Sequence, residues 1–256
     1  MPKLVAPLDA NNLKVINLAT PTASADAATK AYVDAGGGTA TYPPDGIQAV
    51  TQAVTSSVAA SGTITCATSF PFARQTSNSI IIAAVSYTQP SGALLNQAFA
   101  TPSGWTYLGS VNATSGSGVA IDIYWKAASN TSADIPTFTN GSTAVSNVNI
   151  SVSEWYGVNA TSGPYGFGSL TQDNTAYHQH SPQITTTGTN HLIIVIAAQS
   201  FALAAGGLTL SHSSASTGAS HSFSIVDAFA ARLYSFGGTS STATANGIGI
   251  FALPHN

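Results

Sequence analysis

Tyr177-His178-Gln179-His180-Ser181 is the segment of this chain with the sharpest chemistry. Residues two apart on an extended backbone point the same way, so His178 and His180 could offer two imidazoles to one metal ion, with equivalent pairs from symmetry-related copies completing the shell. A single His-x-His in a polar loop is also what plain solvated surface looks like, and no cofactor is assigned from it. Glu154-Trp155-Tyr156 is the second candidate. Trp155 and Tyr156 could stack on pyranose rings as a glycan contact, or Trp155 could anchor a β core. Glu154 continues the apolar face of Val148, Ile150 and Val152, where a carboxylate is costly unless paired. Either a bulge near Trp155 turns it outward, or Lys126 or Arg232 reaches it.

Catalytic patterns are missing from the sequence. It has no G-x-S-x-G elbow, H-E-x-x-H helix, P-loop or dinucleotide-binding glycine pattern. Nine acidic residues supply few carboxylate pairs, and the alternation of the sequence assigns Asp122 and Glu154 to opposite faces. The chain is therefore expected not to be an enzyme. Cys66 is the single cysteine, which reads as a small buried hydrophobe, and the six histidines lack the cysteine partners of a structural zinc site.

The elements that position these residues follow from composition and period. Only 6% of the 256 residues are charged, against roughly 25% in ordinary soluble domains, while 44% are hydrophobic. Such a chain folds around a real core and presents a neutral Ser/Thr/Asn/Gly exterior, as suits an extracellular or particle-surface protein. A net charge of -3 supplies no footprint for nucleic acid and no polybasic patch for a membrane. The start MPKLVAPLDANN has no apolar signal region and no segment approaches roughly 18 consecutive apolar residues, so neither signal-directed export nor a membrane span is expected.

Beyond the stiff turn Tyr42-Pro43-Pro44-Asp45-Gly46, the apolar segments alternate with the period of a strand. Val119, Ile121, Ile123 and Trp125 face one way, while Ala120, Asp122, Tyr124 and Lys126 face the other. Val148, Ile150 and Val152 point inward, while Asn149, Ser151 and Ser153 point outward. Residues 79–87 and 191–198 are apolar on both sides and read as central strands. Further strands are expected at 62–65, 105–111, 182–187, 223–229, 233–236 and 247–253, with a loop region around one short strand over 202–222. Many short strands separated by Gly/Ser/Thr/Asn turns predict a mostly β protein, a jelly-roll-like antiparallel β-sandwich over 39–256, behind a short N-terminal arm over 1–38 that contains one helix.

The arm has its own logic. Pro21 ends the apolar segment through Ile16 and Leu18, Ser24 caps a helix over 25–35, and Asp26 favours the positive end of its dipole. Ala28, Tyr32 and Ala35 form one narrow apolar stripe, too little to hold an isolated helix of about three turns, so the stripe is expected to pack against copies of itself. Gly36, Gly37 and Gly38 end the helix.

Leu8, Asp9, Asn11, Leu13, Ile16, Asn17 and Leu18, followed by Pro21 and Asp26-Ala27-Ala28-Thr29-Lys30-Ala31-Tyr32-Val33-Asp34, resemble the attachment segment near the start of bacteriophage tail-fibre and related virion proteins. The likeness covers about a tenth of the chain and is specific in order and spacing. It implies attachment and oligomerisation through Leu8, Leu13, Ile16, Leu18, Ala28 and Tyr32, a homotrimer, other virion proteins of the tail or capsid as partners, host-surface glycan as a receptor, and a place in the virion. Ser103-Gly104-Trp105-Thr106 with Leu108, Ile123-Tyr124-Trp125-Lys126-Ala127-Ala128, Glu154-Trp155-Tyr156-Gly157-Val158, and Ile184-Thr185-Thr186-Thr187 before Leu192-Ile193-Ile194-Val195 resemble a β-sandwich module recurrent in phage and bacterial surface proteins. That likeness implies fold and surface location. The expected role is a tail-fibre or receptor-binding protein, with capsid decoration (cement) protein and carbohydrate-binding module as alternatives.

Overall fold

The computed structural model describes residues 47–65, 79–90, 96–112, 118–129, 134–172, 179–186, 191–198, 209–213, 221–228, 233–234, 237–238 and 246–254, all within one compact unit, Tyr42–Asn256. The expected arm over 1–38, with Leu8, Leu13, Ile16, Leu18, Ala28 and Tyr32, lies outside the described residues, as do Cys66, His178 and Arg232.

The protein is mostly β. The strands are β1 (Ile47–Val58), β2 (Thr63–Thr65), β3 (Ser79–Thr88), β4 (Phe99–Ala100), β5 (Thr106–Asn112), β6 (Val119–Ala127), β7 (Thr137–Asn140), β8 (Val145–Tyr156) and β9 (Tyr165–Gln172). They continue as β10 (Gln179–His180), β11 (Ile184–Thr185), β12 (His191–Ala198), β13 (Thr209–Ser213), β14 (His221–Ala228), β15 (Leu233–Tyr234), β16 (Gly237–Gly238) and β17 (Asn246–Leu253). Their pairings are antiparallel throughout. β1 escapes a period-two reading because Ile47, Val50, Val54 and Val58 recur at helical spacings of three and four.

Two five-stranded sheets, ordered β1-β8-β3-β6-β5 and β13-β14-β12-β17-β9, share a core. Ile80, Ile82, Ile121, Ile123 and Trp155 of the first meet Leu192, Ile194, Ile196, Phe251 and Leu253 of the second. The opposite face of the first sheet, carrying Ile81, Ala83, Val85, Tyr124, Ile150 and Val152, is covered by a small third layer, β2-β7-β4, through Phe99 and Phe138. The first sheet is thus central and covered on both sides. That explains why β3 is buried along nearly its whole length and why β6, expected to be half-buried, buries Val119 through Tyr124 without a break. It also places Asn149, Ser151 and Ser153 inside the protein rather than in solvent, at 0%, 1% and 1% exposure. β12 is the middle strand of the second sheet, as its continuous apolar run predicts.

The described strands divide by sequence order. The first sheet takes its described strands from 47–156 and the second from 165–253, so among the described residues the strands pass from one to the other once, over 157–164. A jelly roll passes back and forth between its two sheets; turn spacing predicts the number of strands, but pairing order depends on contacts distant in sequence. The crossing is tied down locally. Gly157 adopts φ +78°, Asn159 Oδ1 accepts from the N–H groups of Thr161 and Ser162, and Asn159 N–H donates to Pro254 O at 2.7 Å. Gly163, at φ +64°, passes so close to the Trp125 ring that a Cβ there would lie 2.2 Å from it.

Candidate functional site

The third layer and the loop leading into β5 frame a groove of about 370 Å³. Thr101, Pro102, Ser103 and Trp105 form one wall, and Ile135, Pro136, Thr137 and Thr139 form the other. Pairing of Ala100 with Thr139 joins the two walls at one end. Strand alternation sets the outer surface: Phe138 and Asn140 are buried, while Thr137 and Thr139 are exposed. Thr63 and Thr65 of β2 stand directly opposite Thr139 and Thr137, with Thr65 Oγ1 and Thr137 Oγ1 2.7 Å apart. The 101–105 wall is a tight turn in which Trp105 N–H donates to Pro102 O and Gly104 takes φ +78°, a conformation that glycine adopts without steric cost.

β4 has only two residues with which to pair, so its neighbouring backbone groups need other partners. The central sheet supplies them as side chains. Gln97 N–H donates to Ser110 Oγ at 3.1 Å, Ala98 N–H to Tyr87 Oη at 3.3 Å, and Phe99 N–H to Asp122 Oδ2 at 3.3 Å. Tyr124 Oη donates to Phe99 O at 2.5 Å. Asp122 Oδ1 also accepts from Ser110 Oγ at 2.6 Å and from Tyr87 Oη at 3.4 Å. Because the one Ser110 hydroxyl proton goes to Asp122, the 2.5 Å contact between Tyr107 Oη and Ser110 Oγ has Tyr107 as donor.

The electrostatics describe a structural network. Burial pushes the Asp122 carboxyl up to about 6, against the opposing pull of its donors Ser110, Phe99, Ala98 and Tyr87. Burial, reinforced by the Asp122 charge, holds the Tyr87 and Tyr124 phenols far above their ordinary range. Asp122 is 0% exposed, so it touches no substrate; it anchors the strand that carries the groove wall.

The residues singled out by sequence are distributed elsewhere. Trp155 is 0% exposed, and its indole N–H donates to Ser153 Oγ at 2.8 Å. It therefore anchors the core between the two large sheets and presents no ring to a glycan, which corrects that expectation. The backbone of Tyr156 pairs with Ser79. Glu154 does not turn outward: it is buried and accepts the Ser79 hydroxyl at 2.6 Å. Lys126, one of the two partners expected for it, instead pairs with Asp134 Oδ1 at 2.8 Å, and Arg232, the other, lies outside the described residues.

Asp122 and Glu154 do share a face, contrary to the sequence assignment, because β3 lies between β6 and β8 and places Asp122 level with Val85 and Glu154 level with Ile81. Four residues along and two strands across separates them by roughly 16 Å, too far for a glycosidase pair. The backbone of His180 pairs with Gly237, and no group of three or more metal-capable side chains occurs among the described residues.

Sequence reasoning missed the groove and its support. One signal was present: Asp122 interrupts the apolar run of β6, and a carboxylate there requires donors. Comparison with known protein families, curated proteins and solved structures returns no match for this chain. Fold and site therefore define it as a layered, mostly β protein with a pinned, uncharged groove on its outer layer.

Proposed function

We propose that this chain is a bacteriophage virion structural protein, a trimeric tail-fibre or receptor-binding protein anchored to the particle by residues 1–38 with its β head turned toward the host. The observation that carries this reading is the order and spacing of the Leu8–Asp34 segment, with its capped helix and its apolar stripe too small to stand alone. The 6% charge content supports it, since a neutral hydroxyl-rich exterior suits a protein that works outside the cell. The likeness of 103–195 to a surface β-sandwich module fits the roles its residues play. Gly104 makes a turn, Tyr124 and Trp155 fill cores, and Gly157 opens the crossing between sheets.

A capsid decoration role is favoured by one specific feature: only residues 39–46 separate the arm from β1, which leaves no room for a fibre shaft. The location and copy number of the protein in purified virions separate the two roles. A few trimers at the tail establish the fibre role, and hundreds of copies across the shell establish decoration. Deletion of 1–38 tests the anchor, because a truncated chain that joined particles normally would remove it.

A further inference from the structure

We infer that the groove between Thr101–Trp105 and Ile135–Thr139 is a binding site for a neutral oligosaccharide, an inference that rests on the receptor-binding reading and locates its contact surface. The lining carries hydroxyls at Thr101, Ser103, Thr137 and Thr139, apolar surface at Pro102 and Pro136, and no charged side chain. A phosphate, carboxylate or ammonium ligand would lose its hydration with nothing of opposite charge to replace it. Hydroxyls that both donate and accept match sugar hydroxyls, and the proline surfaces match the C–H faces of a sugar ring.

A groove of about 370 Å³ falls at the small end of the roughly 300–1,000 Å³ range of ligand sites. It also opens onto a continuous hydroxyl surface. Thr137 and Thr139 pair across strands with Thr65 and Thr63, all four exposed, so a longer chain has hydroxyl partners beyond the groove.

Preorganisation is the second argument. Gln97 N–H, Ala98 N–H, Phe99 N–H and Phe99 O are each held by a side chain of the central sheet, immediately before the wall begins. A wall fixed before the ligand arrives spares the ordering entropy of binding.

The test uses the full chain and a panel of neutral hexose and N-acetylhexosamine oligosaccharides, with sialylated and sulfated ones as charged controls, read by saturation-transfer NMR and calorimetry. Thr139→Lys and Ser103→Lys place a cation and bulk in the groove at exposed positions and should weaken binding of the neutral ligand at least tenfold. Ser169→Lys, exposed on β9 of the second large sheet and outside the groove lining, should leave binding unchanged, while circular dichroism checks that each variant folds.

Binding of none of the neutral ligands, preference for the anionic controls, or undiminished binding by both groove variants overturns the inference. Competition of the purified chain with phage adsorption to host cells reads the receptor role separately. If it competes while the groove variants compete equally well, the groove is wrong and the receptor reading stands. If it binds sugar through the groove but never competes, the groove stands and the receptor role fails.

Discussion

Tyr107 and Ser110 lie three residues apart in β5, yet both stand on the face of the central sheet that holds Asp122, with Tyr107 Oη 2.5 Å from Ser110 Oγ. Strict alternation would send them to opposite faces. The register shifts between Tyr107 and Gly109, so Leu108 is an extra residue opposite β6. The bulge restores Ser110 to the face of Tyr107, where its hydroxyl reaches Asp122 at 2.6 Å.

Asp122→Asn leaves one oxygen for the work of two, so either the Phe99 N–H or the Ser110 and Tyr87 hydroxyls lose an acceptor. The expected cost is about 1–3 kcal/mol in urea unfolding at pH 7. The pH dependence has a definite sign. With the folded carboxyl raised to about 6 from an ordinary 3.8, the folded state retains a proton that the unfolded chain has already lost. The Asp122 contribution to stability therefore falls as pH rises between those values, by on the order of 2–3 kcal/mol. The stability difference between wild type and Asp122→Asn, measured across that window, should show the slope. A flat difference would mean that the Asp122 carboxyl titrates normally.

Asn149 is 0% exposed, and its side-chain amide has no hydrogen-bond partner among the described residues. Asn149→Val removes that desolvation penalty and adds a good strand former, so it should raise stability by about 1–2 kcal/mol. A fall in the unfolding midpoint would show that the amide is bonded in the folded protein.

Gly109 faces the Phe167 ring, and a Cβ there would come within 2.1 Å of it. Gly109→Ala should cost about 1–3 kcal/mol, and the penalty should shrink in a Phe167→Leu background. Strictly additive costs in the double-mutant cycle would place the strain elsewhere.

Lys126, whose side chain is 10% exposed, pairs with Asp134, whose side chain is 0% exposed. Burial pushes the Asp134 carboxyl up, but hydrogen bonds from Lys126 and Ser129 outweigh it and leave the group below its ordinary value. Its stabilising effect is present above the unfolded value and is lost as pH falls through the lower, folded one. Lys126→Met removes the ammonium and leaves the carboxylate to its Ser129 donors, and should cost on the order of 1–3 kcal/mol at neutral pH. That cost should diminish as both forms are acidified below about pH 4, where carboxyls protonate. Equal stability of the two proteins at pH 7 would refute the pairing.

The sequence by itself determined that the chain is mostly β, and it located strands whose side chains carry the period of two or an unbroken apolar run. β3, β6, β8 and β12 are all of this kind. These signals are local, because alternation and β-branching act through the pleat of the strand that carries them. β1 was hidden by its helical spacing, and the two-residue β4 is too short to have a period.

Only the tertiary structure decided which faces meet. Ser153 and Asn149 read as an outward polar face until a second sheet covers them, and Trp155 reads as a sugar platform until it is sealed between the sheets. Asp122 and Glu154 change from opposite faces to one face because β3 inserts between their strands. The groove is further from the sequence still, since its walls lie thirty or more residues apart and the Ser110 hydrogen bonds behind it, from Gln97 N–H and to Asp122, depend on one extra residue at Leu108. Pairing order, bulges and layer coverage are set by contacts between distant segments, and a local pattern of side chains carries no record of them.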